Sequence, residues 1–164
     1  IKDSHPMKNL DVVGILEQSS NIGVAKLVQR IDDEKYFKYL RGFGFGNSTS
    51  LTLPGETAGR LRKPNEWSKV SKTYLSFGYE ISVTPVQITA AYCALINGGV
   101  LYEPQLLQRQ ISKDGNLVYE FSPKEVRRVI STETSDIMRD LLAVAFSKFA
   151  NTFVAKYIYR ATVD

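Results

Sequence analysis

The sequence lacks several features that would narrow its class at once. It holds one cysteine, Cys93, so an internal disulfide is excluded and the redox compartment stays open. No apolar run reaches the roughly 20 residues that a membrane-spanning helix needs, and no signal peptide is visible. Because the chain begins at Ile1 rather than at methionine, the missing targeting signal says nothing about a longer parent protein. No internal repeat and no low-complexity tract occur.

Charge of one sign is only in small excess. The net charge is +4 at pH 7 and the pI is near 9.1. The cations stand in short groups, not in a stripe with interleaved aromatic residues, which argues against nucleic acid as a partner. We interpret these groups as solvated faces, or as a surface that meets anionic polymers. They include Arg60, Arg62 and Lys63, then Lys124, Arg127 and Arg128. With 43% apolar residues, the chain can form one domain or part of one.

Helical spacing comes first along the chain. Leu10, Val13 and Leu16 keep it until the polar segment 18–21. A second helix should follow, with Ser20 or Asn21 as its cap, because short polar side chains accept hydrogen bonds from the free N–H groups of a first turn. Its expected inward residues are Ile22, Leu27, Val28 and Ile31.

A long glycine-rich connection covers residues 42–60, and such connections are often functional or packed against something specific. The clearest helix signal follows it. Thr84 and Gln87 form a capping box around Pro85, and the run 86–96 is apolar on nearly every side, which predicts a buried helix. Asn97-Gly98-Gly99 should end that helix.

The last third of the chain predicts a hairpin and one more helix. The segment 105–122 predicts a hairpin, because Leu117, Tyr119 and Phe121 alternate with polar or exposed positions after a turn at 113–116. An amphipathic helix should run from about Thr134 to Phe146. Its expected buried face holds Ile137, Met138, Leu141, Leu142 and Val144. After Phe146 the pattern loses coherence.

Seven short segments stand in the order Ser19-Ser20-Asn21, Leu53-Pro54-Gly55-Glu56, Ser76-Phe77-Gly78-Tyr79, Val83-Thr84-Pro85-Val86-Gln87, Ala90-Ala91-Tyr92, Asn97-Gly98-Gly99 and Val129-Ile130-Ser131. In order and spacing, over roughly residues 8–146, they resemble the class B penicillin-binding proteins, the monofunctional transpeptidases that cross-link bacterial cell walls. Trp67, followed by the segment 76–79, is more similar to the septal, division-specific branch than to the elongation branch.

The resemblance implies an α+β fold: the mostly helical portion of the penicillin-binding-protein and serine β-lactamase-like transpeptidase fold, with a β-hairpin. Residues 1–146 would form a partial transpeptidase domain, and residues 147–164 a tail without family pattern, frame-shifted or disordered. In the parent protein we expect an extracytoplasmic, periplasmic location and no cofactor. Its partners would be peptidoglycan stem peptides, β-lactams and division proteins. Apolar faces left bare in the isolated piece would favour self-association.

Two of the three signatures of these enzymes are missing from the chain. None of its serines is followed three residues later by lysine, so Ser-x-x-Lys is absent, and so is Lys-Thr-Gly. Near its end the chain has Lys156 followed by Tyr157 and Ile158 instead. We therefore expect the chain alone to be inactive, because the family's nucleophilic serine lies in the first of these signatures.

The remaining signature, Ser-x-Asn, falls on Ser19 and Asn21, and the resemblance implies catalytic and substrate-binding roles for both. Ser19 would carry a proton between the catalytic lysine and the leaving or attacking amine, since a hydroxyl is both donor and acceptor. Asn21 would hold the substrate amide and orient the lysine. Taken alone, the three residues 19–21 would predict only a cap between two helices.

Other polar residues receive structural interpretations. His5 has no partner at ligand spacing, so no metal site is expected. Cys93 should be a small core residue. Asp32, Asp33 and Glu34 should be charges at a helix end. Two other functions remain open: a non-catalytic module of the same fold that binds muropeptide or a division partner, and a relative of β-lactamases or antibiotic sensors.

Overall fold

The chain consists of six α-helices and three small antiparallel sheets within the residues that a computed structural model describes. These are residues 1–51 and 54–149, with the backbone alone at 146–149. The first half contains α1 (Val12–Glu17), α2 (Asn21–Val28), α3 (Asp33–Gly42), β1 (Arg60–Leu61) and α4 (Ser71–Leu75). The second half contains β2 (Ile81–Ser82), α5 (Pro85–Ile96), β3 (Val100–Tyr102), β4 (Arg109–Ile111), β5 (Leu117–Glu120), β6 (Glu125–Arg128) and α6 (Thr132–Phe149). No helix in this part of the chain combines the length and apolarity needed to cross a membrane.

Each sheet has two strands. β1 pairs with β2, β3 with β6, and β4 with β5. The β4–β5 pair is the predicted hairpin, and Gly115 in its turn has a φ of 82°, which glycine adopts without strain. Both strands of this hairpin are exposed, so it projects from the helices.

The core lies where α5 meets β3 and α6. Ala94 is fully buried, and the other buried apolar side chains include Val28, Leu75, Ala91, Val100 and Leu101. Ser135 links α6 to the end of α5, because its hydroxyl donates to the Leu95 carbonyl at 2.8 Å and accepts from the Gly98 N–H at 3.0 Å. The buried Ser135 hydroxyl is tolerated because it both donates and accepts a hydrogen bond.

The predicted boundaries of α5 are confirmed. Thr84 Oγ1 accepts from the Gln87 N–H at 3.1 Å, and Gln87 Oε1 accepts from the Thr84 N–H at 2.8 Å. At the other end Gly98 and Gly99 have φ of 96° and 90°, and a side chain at Gly99 would collide with the Ile130 carbonyl. Glycine is therefore required where the chain turns from α5 into β3.

Gln87 also holds the glycine-rich connection. Its side chain is 1% exposed, and its Nε2 donates to the carbonyls of Asn47 at 2.7 Å and Ala58 at 2.9 Å. The prediction that this connection packs against something specific is confirmed, and the partner is the first turn of α5.

Burial along α5 differs from the prediction. Ile88, Tyr92 and Ile96 are 40%, 47% and 41% exposed, and Cys93 is exposed instead of lying in the core. The reason is that β3 and α6 pack on one side of the helix only, where the small residues Ala91 and Ala94 face them. Composition marks a helix as able to be buried on all sides, but it does not show that all sides are covered.

The last helix is longer than predicted and its inward face differs. It spans Thr132–Phe149, and Ile137 and Val144 are 54% and 44% exposed, whereas Ser135 is buried. Bare apolar faces are thus present in this chain, as expected. The prediction for the tail 147–164 falls almost wholly on residues outside those described.

We expect Gln87→Ala to lower the free energy of unfolding by about 2–3 kcal/mol, because it leaves the half-buried carbonyl groups of Asn47 and Ala58 without their donors and removes half of the capping box. Urea denaturation followed by circular dichroism measures the change. Gln105→Ala is the matched control, since Gln105 is exposed and makes no side-chain hydrogen bond among the described residues. Equal midpoints for both variants would show that the Gln87 amide does not anchor the connection.

Candidate functional site

Ser20 is the structural anchor of the candidate element 19–21. It is 4% exposed and caps α2, because its Oγ accepts from the Gly23 N–H at 2.9 Å. The same hydroxyl donates to Asp3 Oδ2 at 2.8 Å, and Asp3 Oδ1 accepts from the Ile22 N–H at 3.1 Å. Of the two expected caps, Ser20 and Asn21, the cap is Ser20, and Asp3 is a second capping group that the sequence did not reveal.

The Asp3 carboxylate is stabilised in its charged form. The Ile22 N–H is the main cause that lowers the Asp3 pKa, and the Ser20 hydroxyl, the Asn21 N–H and His5 act in the same direction. Hydrogen bonds to a carboxylate favour its ionised state, and a negative charge at a helix N-terminus also suits the helix dipole. The N-terminal segment is thereby tied to the first turn of α2.

Ser19 and Asn21 lie on either side of this anchor with their polar groups free. Ser19 is exposed and has a φ of 51°, a left-handed conformation uncommon for a residue with a side chain. Asn21 is half-buried at the first position of α2. Within the described part of the chain, neither the Ser19 hydroxyl nor the Asn21 side-chain amide has a hydrogen-bond partner. Both are therefore available to an external group.

The helices beside this element are in close contact. A side chain at Gly23 would come within 2.6 Å of Ile15 Cγ1, so glycine lets α2 approach α1. Ile15 is itself buried. The turn that carries Ser19 is therefore held by packing on α1 as well as by the Ser20 cap.

Glu56 closes the loop in which the segment Leu53-Pro54-Gly55-Glu56 lies; Leu53 is outside the described residues. One carboxylate oxygen accepts from the Ser48 hydroxyl at 2.5 Å, and the other accepts from the N–H and the hydroxyl of Thr49, each at 2.5 Å. The Ser48 hydroxyl is the main cause that lowers the Glu56 pKa, followed by Thr49. Glu56 is a loop-closing residue here, a role that the sequence did not show.

Aromatic side chains cluster at Trp67 and at the segment 76–79, two of the features that carry the resemblance. The Trp67 ring meets Tyr36 and Phe37 edge-on at 6.3 and 6.4 Å, and its Nε1 donates to the Arg62 carbonyl at 2.9 Å. Burial raises the pKa of Tyr36 to about 12, so its hydroxyl stays protonated at neutral pH. Around the segment 76–79, the rings of Tyr74, Phe77 and Tyr79 form a cluster with centroids 5.6–6.2 Å apart.

A cavity of about 390 Å³ lies between α5 and the segment that follows β3. Its wall is mostly apolar, with Leu51, Val86 and Leu106 among the lining residues, and its polar lining residues include Asn97 and Glu103. Ser19 and Asn21 do not line it, so the structure does not bring the candidate catalytic residues to this cavity.

Comparison with known proteins gives consistent matches. The family model described as "Penicillin binding protein transpeptidase domain" matches residues 1–160. Stage V sporulation protein D of Bacillus subtilis is 38% identical over 146 residues, which are 87% of this chain and 23% of that protein. Penicillin-binding protein PbpB of Mycolicibacterium smegmatis is 35% identical over 138 residues, 84% of this chain and 21% of that protein.

Solved structures agree with these relatives. Penicillin-binding protein 3 from Mycobacterium tuberculosis, complexed with aztreonam, superposes with a TM-score of 0.78 at 33% identity, over 87% of this chain and 32% of that one. A peptidoglycan synthetase from Bifidobacterium adolescentis gives a TM-score of 0.83 at 28% identity, over 93% and 28% of the two chains. The chain thus spans between a fifth and a quarter of the two curated relatives above.

Substitutions at neighbouring serines should separate structural from accessible positions. We expect Ser20→Ala to lower the free energy of unfolding by about 1–2 kcal/mol, because it removes the cap of α2 and the partner of Asp3. Ser19→Gly should be neutral or slightly stabilising, because glycine adopts a positive φ without strain. Thermal melts of both variants compare them directly. A larger loss for Ser19→Gly than for Ser20→Ala would contradict the assignment of the anchor.

The Glu56 loop should respond to acid. Because the folded-state pKa of Glu56 lies below its usual value of 4.5, its contribution to loop closure is complete above that value and is lost as the pH falls through the lowered pKa. Hydrogen exchange of the Thr49 amide, corrected for its intrinsic pH dependence, should therefore accelerate at acidic pH. Glu56→Gln is the control, and it should abolish this response. A Thr49 protection factor that is constant down to pH 2 would contradict the loop assignment.

Proposed function

The chain belongs to the penicillin-binding protein transpeptidase family, class B, and we propose that it is a segment of a peptidoglycan D,D-transpeptidase whose Ser19 and Asn21 serve the reaction. In that reaction a serine attacks the carbonyl between the two alanines of a D-alanyl-D-alanine stem peptide, the peptide bond breaks, and the terminal D-alanine leaves as the acyl-enzyme forms. The amine of a neighbouring stem peptide then attacks the acyl group and releases the serine. Residues 1–146 form the partial domain in this proposal.

The observation that carries the proposal is the free state of the two side chains on either side of a buried anchor. A hydroxyl that no group of the described chain uses can accept a proton from one neighbour and donate one to another. Ser19 is thus suited to pass a proton between the catalytic lysine and the amine that leaves or attacks. The unpaired Asn21 amide offers a donor and an acceptor in one plane, which suits a peptide bond of the substrate.

Fixed geometry supports these roles. A catalytic group must be held close to its productive position, and small displacements cost large factors in rate. The Ser20 hydroxyl, the Asp3 carboxylate and the tight packing at Gly23 fix the backbone between Ser19 and Asn21 without using either of their polar groups. The left-handed turn at Ser19 is part of this arrangement.

The chain alone lacks the groups that would make a nucleophile. A serine hydroxyl needs an adjacent base, and no serine of the chain stands in the Ser-x-x-Lys spacing that would supply one. We propose that the isolated chain is inactive. We further propose that the whole protein works on the extracytoplasmic side of the membrane, in the septal branch with division proteins, and that the apolar faces of the isolated piece favour self-association.

The second candidate function is a non-catalytic module that binds muropeptide or docks to a division partner. It differs from the main proposal in one respect: Ser19 and Asn21 would then have no effect on acylation when the missing signatures are supplied.

Labelling with a fluorescent penicillin tests the proposal. The chain alone should give no covalent band on a denaturing gel. A hybrid protein can be made in which 138 residues of this chain replace the matching residues of Mycolicibacterium smegmatis PbpB, to which they are 35% identical. This hybrid should give a covalent band. In the hybrid, Ser19→Ala and Asn21→Ala should each lower the acylation rate constant by about a hundredfold or more, as loss of a proton-transfer or substrate-holding group does.

The matched control is Ser122→Ala, which changes an exposed serine outside any family segment and should acylate at the rate of the unsubstituted hybrid. Circular dichroism establishes that each hybrid is folded. A folded hybrid that is not acylated, or one in which Ser19→Ala and Asn21→Ala react at the unsubstituted rate, would favour the non-catalytic module. A band from the chain alone would show that one of its own serines is activated.

A further inference from the structure

A concave, predominantly basic surface lies away from the candidate element, between α3 and β6. Its volume is about 1010 Å³. The cations that line it are Lys35, Lys38 and Arg41 from α3, with Arg127 and Arg128 from β6. Glu34 is the carboxylate among its lining residues. We call this surface the basic groove.

The guanidinium groups of the groove are held in place by backbone carbonyls. Arg127 Nη1 donates to the Arg41 carbonyl at 3.0 Å, and Arg41 Nη1 donates to the Gly46 carbonyl at 2.6 Å. Arg128 Nη1 donates to the Gly98 carbonyl at 2.5 Å. These bonds restrain long side chains without neutralising them, so less conformational entropy is lost when a ligand binds.

The cations of the groove have no ionic partner within the described part of the chain. Among the residues that the structure describes, none of the five cations forms a salt bridge, whereas Arg62, Lys72, Lys124 and Arg139 do. Like charges this close repel one another, and an anionic ligand would relieve the repulsion. Guanidinium groups also match carboxylates in a planar, two-bond geometry.

The groove differs from the apolar faces of α5 and α6. Covering those faces with further protein is favourable, because they carry aliphatic and aromatic side chains. Covering the groove with apolar protein would bury unpaired charges, which is strongly unfavourable. The groove therefore suits an anionic partner rather than an internal packing contact.

Its shape favours a linear segment over a flat surface. Arg127 and Arg128 of β6 and Val129 after it line the groove in succession, so the groove runs beside this strand. β6 pairs with β3 on one side and has no strand on its other side among the described residues. An extended peptide can add to such an edge, which neither a lipid headgroup nor a polyphosphate can do. The Phe37 and Tyr39 rings that line the α3 side add apolar contact for side chains between acidic residues.

We propose that the basic groove is a docking site for an acidic, extended peptide segment of a partner protein. Carboxylates of that segment bind the α3 lysines and Arg127, and its backbone lies along β6. The proposal does not depend on the transpeptidase assignment, because the groove shares no residue with the element 19–21.

Fluorescence anisotropy with the intact chain tests this site. The probe is a fluorescein-labelled short peptide in which glutamate alternates with valine, and the reference probe has glutamine in place of each glutamate. The acidic probe should bind and the glutamine probe should not. Affinity should fall as salt is raised, because ions screen exposed charges over about 8 Å at physiological ionic strength.

The double variant Lys35→Gln, Lys38→Gln should weaken the acidic probe at least about tenfold, which corresponds to about 1.4 kcal/mol. Its charge-matched control is Lys69→Gln, Lys113→Gln, which removes two exposed lysines outside the groove and should leave the affinity unchanged. Arg127→Lys keeps the charge but loses the planar two-bond geometry, so it should weaken binding by a smaller factor. Far-ultraviolet circular dichroism establishes that the variants are folded.

Several outcomes would overturn the proposal. Equal binding of the glutamine probe would show that charge is not recognised, and equal losses in the groove and control variants would show a non-specific effect of net charge. Phosphatidylglycerol vesicles and inorganic polyphosphate serve as further probes. If either binds in a manner that depends on Lys35 and Lys38 while the acidic peptide does not, the groove is a phosphate site. No binding of any probe would leave the groove without the assigned function.

Discussion

The arrangement of the chain depends on one buried amide, that of Gln87. Its oxygen accepts from the backbone of Thr84, and both hydrogens of its nitrogen are donated to carbonyls 40 and 29 residues earlier, those of Asn47 and Ala58. With 1% of the residue exposed, water cannot replace these bonds. The same side chain therefore caps the start of α5 and holds the glycine-rich connection at two points, Asn47 and Ala58.

The rest of that region follows from this contact. Gly59 lies next to Ala58 with a φ of 66°, and a side chain there would collide with the Ser82 carbonyl. Only glycine lets β1 come close enough to pair with β2 while the preceding carbonyl stays on the Gln87 amide. A polar residue at a capping position and a glycine 28 positions earlier thus form one structural unit, although the chain separates them by the whole of α4 and its flanking turns.

Local signals in the sequence predicted the parts of this structure that local physics determines. The capping box at Thr84, the turn at Gly115 and the helix end at Gly98 each depend on a few neighbouring residues, and each is confirmed. Other contacts could not be predicted, because they join residues that are distant in sequence or of common type. They are the bonds from the Gln87 amide nitrogen to two carbonyls, the bond between Asp3 and Ser20, and the loop closure by Glu56. The exposure of Cys93 was missed because apolar composition does not tell which side of a helix is covered. For the candidate site, the resemblance supplied the positions of Ser19 and Asn21, whereas their free polar groups became visible only in three dimensions.

The division of labour within residues 19–21 explains how one short turn can be both stable and available. A cap is worth about 1 kcal/mol only if its hydroxyl is fully engaged, and an engaged hydroxyl cannot relay a proton for a substrate. Ser20 takes the first role, with its oxygen between the Gly23 N–H and the Asp3 carboxylate. Ser20 holds the turn in place. Ser19 can therefore keep a strained φ of 51°, and its hydroxyl needs no partner among the described residues. The two serines cannot exchange these roles. Ser20 is buried and Ser19 is exposed, so an exchange would place the free hydroxyl in the core and the capping hydroxyl in solvent.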